Sequence, residues 1–260
     1  CIRDRSPFAP REIEMERVSF GLAGTFDNGF DWNFDMTRSA EDNYGRQPDT
    51  GTSKLAAAID GRGGPSGNET FNLFDPTANS QTLRDWLRSD QETWTNVVLS
   101  VVDFVMSGEV GGIDLAAGAQ QRREKYDITR SPNSIVEFDA AGNLTKPADM
   151  IFLGGGTESS ASRTTNAVFL EASTDLSENL ELKGAVRYED LENDSNVDPK
   201  LSLRYQASDE VILRASVSTS YREPSLSQLY TSTVGLQGIQ DYNPDGSAKG
   251  GTAFIRIAQD

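Results

Sequence analysis

Apolar and polar residues alternate along several stretches of the chain, most clearly in its second half. Between residues 180 and 189 the even positions are apolar and the odd positions are mostly charged, and residues 200–207 and 211–222 repeat this alternation. Successive side chains of a strand point to opposite faces of a sheet, so a period of two predicts a strand. The pattern therefore predicts three consecutive strands, each with one apolar and one polar face.

The first half carries the same alternation in two hairpins. Alternating runs at 18–26 and 30–37 flank the turn Asp27-Asn28-Gly29, and Asn-Gly in a short link between such runs is a strong hairpin signal. A second pair of strands is predicted between residues 95 and 126. Its first strand, 95–105, is apolar on both faces, and its register stays open at this level.

The number of strands follows from two further runs. Residues 165–173 predict one more strand, which brings the total to about eight. A ninth is expected if residues 252–257 also form one.

The links between the predicted strands are alternately short and long. Residues 174–178 and 207–210 are short links, whereas 39–93, 127–163 and 222–252 are long. Outer-membrane barrels have short periplasmic turns and long extracellular loops, and their tilted strands cross the bilayer in about 9 to 11 residues. The pattern therefore favours an all-β transmembrane antiparallel barrel. A secreted β-sandwich that binds glycans and a passive porin are the alternatives, because sandwich strands also alternate.

Charge and composition exclude several classes of protein. The 260 residues include 24 Lys and Arg against 40 Asp and Glu, no His and one Cys, for a formal net charge of -16. No concentrated basic patch is present to neutralise phosphates, so we expect no nucleic-acid partner. A zinc cluster, histidine-based catalysis and a disulfide framework lack the residues they need. We therefore expect no enzyme, no catalytic residues, no metal and no cofactor.

Several segments carry motifs beyond the alternation. They are Ala167-Val-Phe-Leu-Glu-Ala172, Asp198-Pro-Lys-Leu-Ser-Leu-Arg-Tyr205, Leu213-Arg-Ala-Ser-Val-Ser-Thr-Ser-Tyr-Arg-Glu-Pro-Ser-Leu226, Arg122-Arg-Glu124 and Phe71-Asn-Leu-Phe-Asp75. In their order and spacing along the chain, these segments resemble the barrel of the TonB-dependent outer-membrane receptors. The resemblance implies a barrel of about 22 strands with a plugged lumen, which imports a scarce nutrient with energy from an inner-membrane complex.

The resemblance also implies where the protein acts and with what. With about eight strands and no recognisable plug, residues 1–260 are expected to be part of one barrel domain in the outer membrane of a Gram-negative bacterium. The expected partners are outer-membrane lipid, the TonB complex acting through the plug, and the substrate. That substrate is a siderophore-iron complex, cobalamin or an oligosaccharide.

Two groups of candidate site residues follow. Charges expected to line the lumen are Glu181, Lys183, Arg187, Glu189, Arg204, Arg214 and Arg222, which either guide substrate or form a structural cross-strand ladder. Candidates for substrate binding are the loop residues Trp86, Arg88, Trp94, Tyr230 and Tyr242, because aromatic rings stack on ligands and charges orient them. The alternative for Trp86 is a short amphipathic helix in which it packs the loop together with Leu83 and Leu87.

Overall fold

The computed structural model describes residues 9–191 and 194–259, and these are mostly strands. The strands are β1 (Arg11–Thr25), β2 (Asp31–Gln47), β3 (Gln91–Val110), β4 (Ile113–Arg130), β5 (Glu137–Phe138), β6 (Leu144–Lys146), β7 (Ser159–Ser177), β8 (Leu180–Asp190), β9 (Ser195–Gln206), β10 (Ile212–Ser218), β11 (Thr233–Tyr242) and β12 (Ala248–Gln259). The helices are α1 (Thr52–Ile59), α2 (Gln81–Leu87) and α3 (Leu226–Tyr230), with two 3-10 turns at Pro76–Ala78 and Pro132–Ser134.

Eight of these strands form one antiparallel sheet, which we name the wall. Its order is β1-β2-β3-β4-β7-β8-β9-β10, so neighbours in the sheet follow each other along the chain, apart from the small β5–β6 hairpin. The wall is open, with β1 and β10 at its edges. Within the described residues no second sheet covers it. The eight predicted strands are confirmed as one antiparallel sheet, and the second layer that a sandwich requires is absent from the described residues.

The strand predicted at 252–257 is present, but it does not join the wall. It lies within β12, which pairs with β11 in a separate two-stranded sheet; Thr252, for example, lies opposite Gln240. The predicted strand is therefore confirmed, although its pairing with β11 could not be predicted, because the alternation of one strand does not show which neighbour it will pair with. The third long connection thus contains α3 and most of a hairpin.

The register gives the wall one apolar and one charged face. Residues directly opposite each other across the sheet form rows, and one such row contains Leu22, Phe34, Phe104, Ala119, Val168 and Tyr188. We name the face that carries this row the apolar face. A neighbouring row on the opposite side contains Gly21, Asp35, Asp103, Gln120, Ala167 and Glu189, and we name that side the charged face. The register of β3, open from its sequence, is fixed by its two neighbours.

The tight turns lie at one edge of the wall, and the long connections lie at the other, together with the short link between β8 and β9. Gly111 and Gly112 have φ angles of 62° and 78° and close the β3–β4 hairpin in two residues. Positive φ at both positions is what a tight turn matching the twist of the strands requires, and glycine adopts it without strain. The other short turns, at 26–30, 178–179 and 207–211, lie at the same edge.

Two long loops are shorter than the alternation predicts, because the strands continue beyond the apolar rows. The first loop comprises 48–90 rather than 39–93, and the second comprises 131–158 rather than 127–163. In the strand extensions polar side chains lie on both faces, as where Asp42 pairs with Asn96. Hydropathy therefore stops alternating before the backbone ladder ends.

Candidate functional site

Most of the predicted lumen charges share the charged face of the wall. Glu181, Lys183, Arg187 and Glu189 alternate along β8, and the register places Arg204 opposite Glu181, with Arg214 opposite Arg204. These six residues therefore lie on one face, although the order of the sheet and not their spacing in sequence brings β8, β9 and β10 together. Arg222 lies beyond the end of β10, outside the wall.

Arg187 is the centre of a polar network that crosses several strands. Its guanidinium donates to Glu189 Oε1 from Nε at 2.9 Å and to Gln120 Oε1 at 2.9 Å. The amide of Gln120 in turn donates to Asp103 Oδ1 at 2.6 Å. Between Gln120 and Glu189 the row contains only the small, buried side chain of Ala167, so Arg187 reaches across β7. Charged hydrogen bonds of this kind hold the side chains in place.

Arg163 forms a second centre, which sequence reasoning missed. Its side chain is buried and pairs with Glu124 of β4, and its Nη1 lies 3.0 Å from Glu223 Oε2 and 2.6 Å from the carbonyl oxygen of Pro224. The segment after β10 therefore returns to β4 and β7, where Ser225 begins α3 with a capping box. All three partners of Arg163 belong to motifs visible in the sequence, but no spacing places Arg163 between them.

The first two loops fold into small cores above the wall. In the first loop the buried residues are Ala58, Phe71, Leu83 and Leu87, with Leu55 and Trp86 packed against them. In the second loop Val136, Ala148 and Met150 are buried together with Val234 of β11. Burial of this kind lets a loop hold a defined surface instead of sampling many conformations.

Two aspartates join these loops to each other. Asp49, which is buried, accepts hydrogen bonds from the backbone N–H groups of Phe152 at 2.9 Å and Leu153 at 2.6 Å. Asp149 of the second loop accepts from the backbone N–H and the hydroxyl of Ser53, in the first turn of α1. A carboxylate there satisfies the free N–H groups of the helix start. We name loops 48–90 and 131–158 together the loop assembly.

The predicted substrate-binding residues are not brought together. Trp86 lies half-buried against the core of the first loop, with Lys54 Nζ 5.9 Å from its ring centroid. Arg88 donates to Asp90 at 2.8 Å, next to an Arg46–Asp90 pair. Tyr230 at the end of α3 is exposed.

Trp94 and Tyr242 lie on strands. The expectation that Trp94 is a loop residue is wrong, because β3 begins at Gln91; its ring packs on Tyr44 at a centroid distance of 5.5 Å. Both rings continue the parity of the apolar face, and they line a cavity of about 330 Å³ that also contains Glu12, Glu14 and Asp42. Tyr242 ends β11.

The most exposed aromatic ring of the loop assembly is that of Phe74, which with Leu73 forms the tip of the turn 72–75. Asn72 Oδ1 accepts from the N–H groups of Phe74 and Asp75 at 3.0 and 2.9 Å, so the turn is fixed by its own side chain. Hydrogen bonds from the hydroxyl and N–H of Thr77 hold the pKa of Asp75 below its ordinary value. The tip therefore combines an apolar surface with a negative charge.

Two features are absent from the described residues. No group of three or more His, Cys, Asp and Glu side chains there is suited to hold a metal ion. No helix there is both long and apolar enough to cross a membrane.

Comparisons with known proteins agree with this architecture. The family model described as TonB dependent receptor-like, beta-barrel matches residues 3–254. No curated protein matches the chain. The structure of the ferric enterobactin receptor in complex with BCV-L6 is similar with a TM-score of 0.50 at 18% identity, over 95% of this chain and 35% of that chain. A mutant of the Pseudomonas aeruginosa ferric enterobactin receptor in complex with enterobactin has a TM-score of 0.48 at 18% identity, over 86% and 28% of the two chains. The chain thus spans about a third of these solved chains or less.

Proposed function

Because the chain belongs to the TonB-dependent receptor family, matched through its β-barrel domain, we propose that it forms part of an outer-membrane importer. The importer captures a scarce nutrient at the loop assembly and passes it along the charged face. Its energy comes from the TonB complex, acting through a plug. The family consists of transport receptors, and we propose no catalysed reaction for the chain.

The observation that carries this proposal is the division of the wall into two faces with all long connections at one edge. On β3 the apolar face runs from Val102 to Val110, eight residue steps or about 27 Å along the strand. At a tilt of about 40° this length spans roughly 21 Å, which is most of the apolar band of about 25 Å that an outer-membrane barrel presents to lipid. The charged face then lines the lumen, and the loop assembly lies at the extracellular mouth.

The tie at Arg163 supports a role for the loops in transport. It anchors the segment after β10 to β4 and β7 on the charged face, through a buried cation with two carboxylates. Removing one member of such a buried network leaves an unpaired charge, which costs about 3 to 5 kcal/mol. The segment after β10 is therefore positioned over the wall by the same class of side chains that lines it.

The substrate class we propose is a ferric siderophore. The similar solved structure with a TM-score of 0.50 is that of a ferric enterobactin receptor. The turn tip at Leu73 and Phe74 offers an apolar and aromatic surface for such a ligand, in line with the mostly apolar lining of small-molecule sites. Cobalamin and oligosaccharides are the other substrates that we would test.

The test is uptake of radiolabelled ferric enterobactin by Gram-negative cells whose only receptor for it is the protein containing this chain. We expect uptake in cells with TonB and none in cells without it. Uptake that persists without TonB would instead support a passive porin. Uptake of radiolabelled cobalamin or maltooligosaccharide, but not of ferric enterobactin, would change the substrate and keep the transport mechanism.

A loop variant tests the capture step. We expect Phe74→Ala to weaken binding of ferric enterobactin about five- to tenfold, as for an exposed aromatic anchor. Ile59→Ala removes another exposed apolar side chain of the same loop and should leave binding unchanged. Equal affinities for both variants would remove the turn tip from the substrate site.

A further inference from the structure

A row of cationic and hydroxyl side chains crosses the apolar face of the wall. The register places Arg38, Ser100, Arg123 and Thr164 directly opposite one another. Arg38 and Arg123 are both exposed. Their backbones are two strand spacings apart, about 10 Å, with the small Ser100 between them. We name these four residues the arginine row.

The two arginines of this row have no ion-pair partner within the part of the chain that the structure describes. On the charged face, by comparison, some arginines contact carboxylates, among them Arg163 and Arg187. The next cation on the same face, Lys125, is engaged with Asp127 at 2.6 Å. Two guanidinium groups without an ion pair, on either side of a hydroxyl, can donate hydrogen bonds to the oxygens of a phosphate.

The arginine row lies at the boundary of two zones of the apolar face. Two rows towards the short turns lie Leu22, Phe34, Phe104 and Val168, and two rows towards the loops lie Glu14, Asp42, Asn96 and Asp127. Neighbouring rows on one face are about 7 Å apart along the strands. The row therefore stands where hydrocarbon gives way to polar headgroups if the apolar rows face lipid.

We propose that the arginine row binds the phosphate of a phosphorylated lipid in the outer leaflet of the membrane. The inference rests on the proposed membrane location. A lipid fits better than free phosphate, because the row directly below contains the exposed Met36 and the half-buried Val102, which contact acyl chains while the guanidinium groups hold the headgroup. The acidic row that lies two rows towards the loops disfavours a phosphate placed any further from the hydrocarbon.

The experiment measures binding of diphosphoryl lipid A to the detergent-solubilised protein by native mass spectrometry. We expect Arg38→Gln/Arg123→Gln to weaken binding at least about tenfold, because two charge-assisted contacts are lost. The matched control is Arg17→Gln/Arg62→Gln, which removes the same charge from the charged face and the first loop. Its affinity should equal that of the unchanged protein. If the Gln pair does not fold, Arg38→Lys/Arg123→Lys keeps the charge and should still bind more weakly, since lysine lacks the planar fork.

Three outcomes would overturn the inference. The first is that the Gln pair, or the Lys pair in its place, binds lipid A as tightly as the control variant does. The second is that the arginine-row variant and the control variant lose the same affinity for lipid A. The third is displacement of lipid A by millimolar inorganic phosphate, which would indicate a site for free phosphate. The proposed function is judged separately by whether the unchanged protein needs detergent to stay in solution. A detergent-dependent protein that binds lipid A without these arginines would refute only the arginine row.

Discussion

The wall and the loop assembly treat their apolar side chains in opposite ways. In the wall Val217 is 69% and Val168 is 53% exposed, whereas in the loops Leu83 is 1% and Met150 is 0% exposed. A sheet face of exposed large apolar residues is unfavourable in water and marks a surface that something else must cover. Each loop buries a cluster of apolar residues within itself, whereas the turn tip at Leu73 and Phe74 stays exposed. This contrast is what the proposed membrane location predicts, with lipid as the solvent of the wall and water as the solvent of the loops.

The largest expected effect comes from a substitution in the core of the first loop. Leu83→Ala creates a cavity in the first loop and should lower the local free energy of unfolding by about 2 to 5 kcal/mol. Hydrogen exchange should then accelerate at amides of residues 48–90 and remain slow in the strands. Leu73→Ala removes an already exposed side chain and is the control. Faster exchange in the wall as well would show that the loops do not fold as their own unit.

The wall is tested by placing a charge on its apolar face. Leu170→Arg, near the middle of the apolar rows, should lower the free energy of unfolding from lipid vesicles by about 2 to 4 kcal/mol. Ala116→Arg places the same side chain on the charged face, opposite Glu171, and should change it little. Urea titrations of both refolded variants measure the difference. Equal effects would mean that the two faces do not meet different solvents.

The wall could be predicted from the sequence because its rows repeat a local signal. Alternation shows in every wall strand except β3, and β3 shows as an apolar run, so all eight strands can be predicted without knowledge of their pairing. The register of β3 and the strand extensions could not be predicted, because both depend on pairing between strands. The register of β3 depends on its neighbours, because its side chains from Val97 to Val102 are apolar on both faces apart from Ser100. The strand extensions pair polar residues, which look like loop.

The loop assembly and the Arg163 tie could not be predicted, because they depend on contacts between distant segments. Arg163 is separated from Glu124 by 39 residues and from Pro224 by 61. Trp86 and Leu83 gave a local helical spacing, which the structure shows as α2. Nothing in that spacing reveals that Asp149 caps α1 or that Asp49 joins the two loops.

The hydrogen bonds of Asp49 allow a test of whether the two loops form one unit or fold independently. Asp49→Ala leaves the N–H groups of Phe152 and Leu153 without their acceptor, which should cost about 1 to 3 kcal/mol. Both loops should then exchange their amide hydrogens faster, although the substitution is in only one. Asp60→Ala, at an exposed ion pair of the first loop, should leave exchange unchanged. Acceleration confined to residues 48–90 would contradict a joint unit.

The smallest expected effect concerns the charge at the turn tip. Thr77 lowers the pKa of Asp75 mainly through its hydroxyl, so Thr77→Val should raise that pKa towards its ordinary value while keeping the backbone hydrogen bond. A lowered folded-state pKa stabilises the turn above the unfolded-state pKa, and this stabilisation is lost as pH falls through the folded-state pKa. The variant should therefore lose less turn stability than the unchanged protein below about pH 4. Carbon NMR of the Asp75 carboxyl measures the midpoint, with the exposed Thr52→Val as control. An unchanged midpoint would show that the loop does not hold its charged tip in the fixed geometry that distinguishes it from the wall.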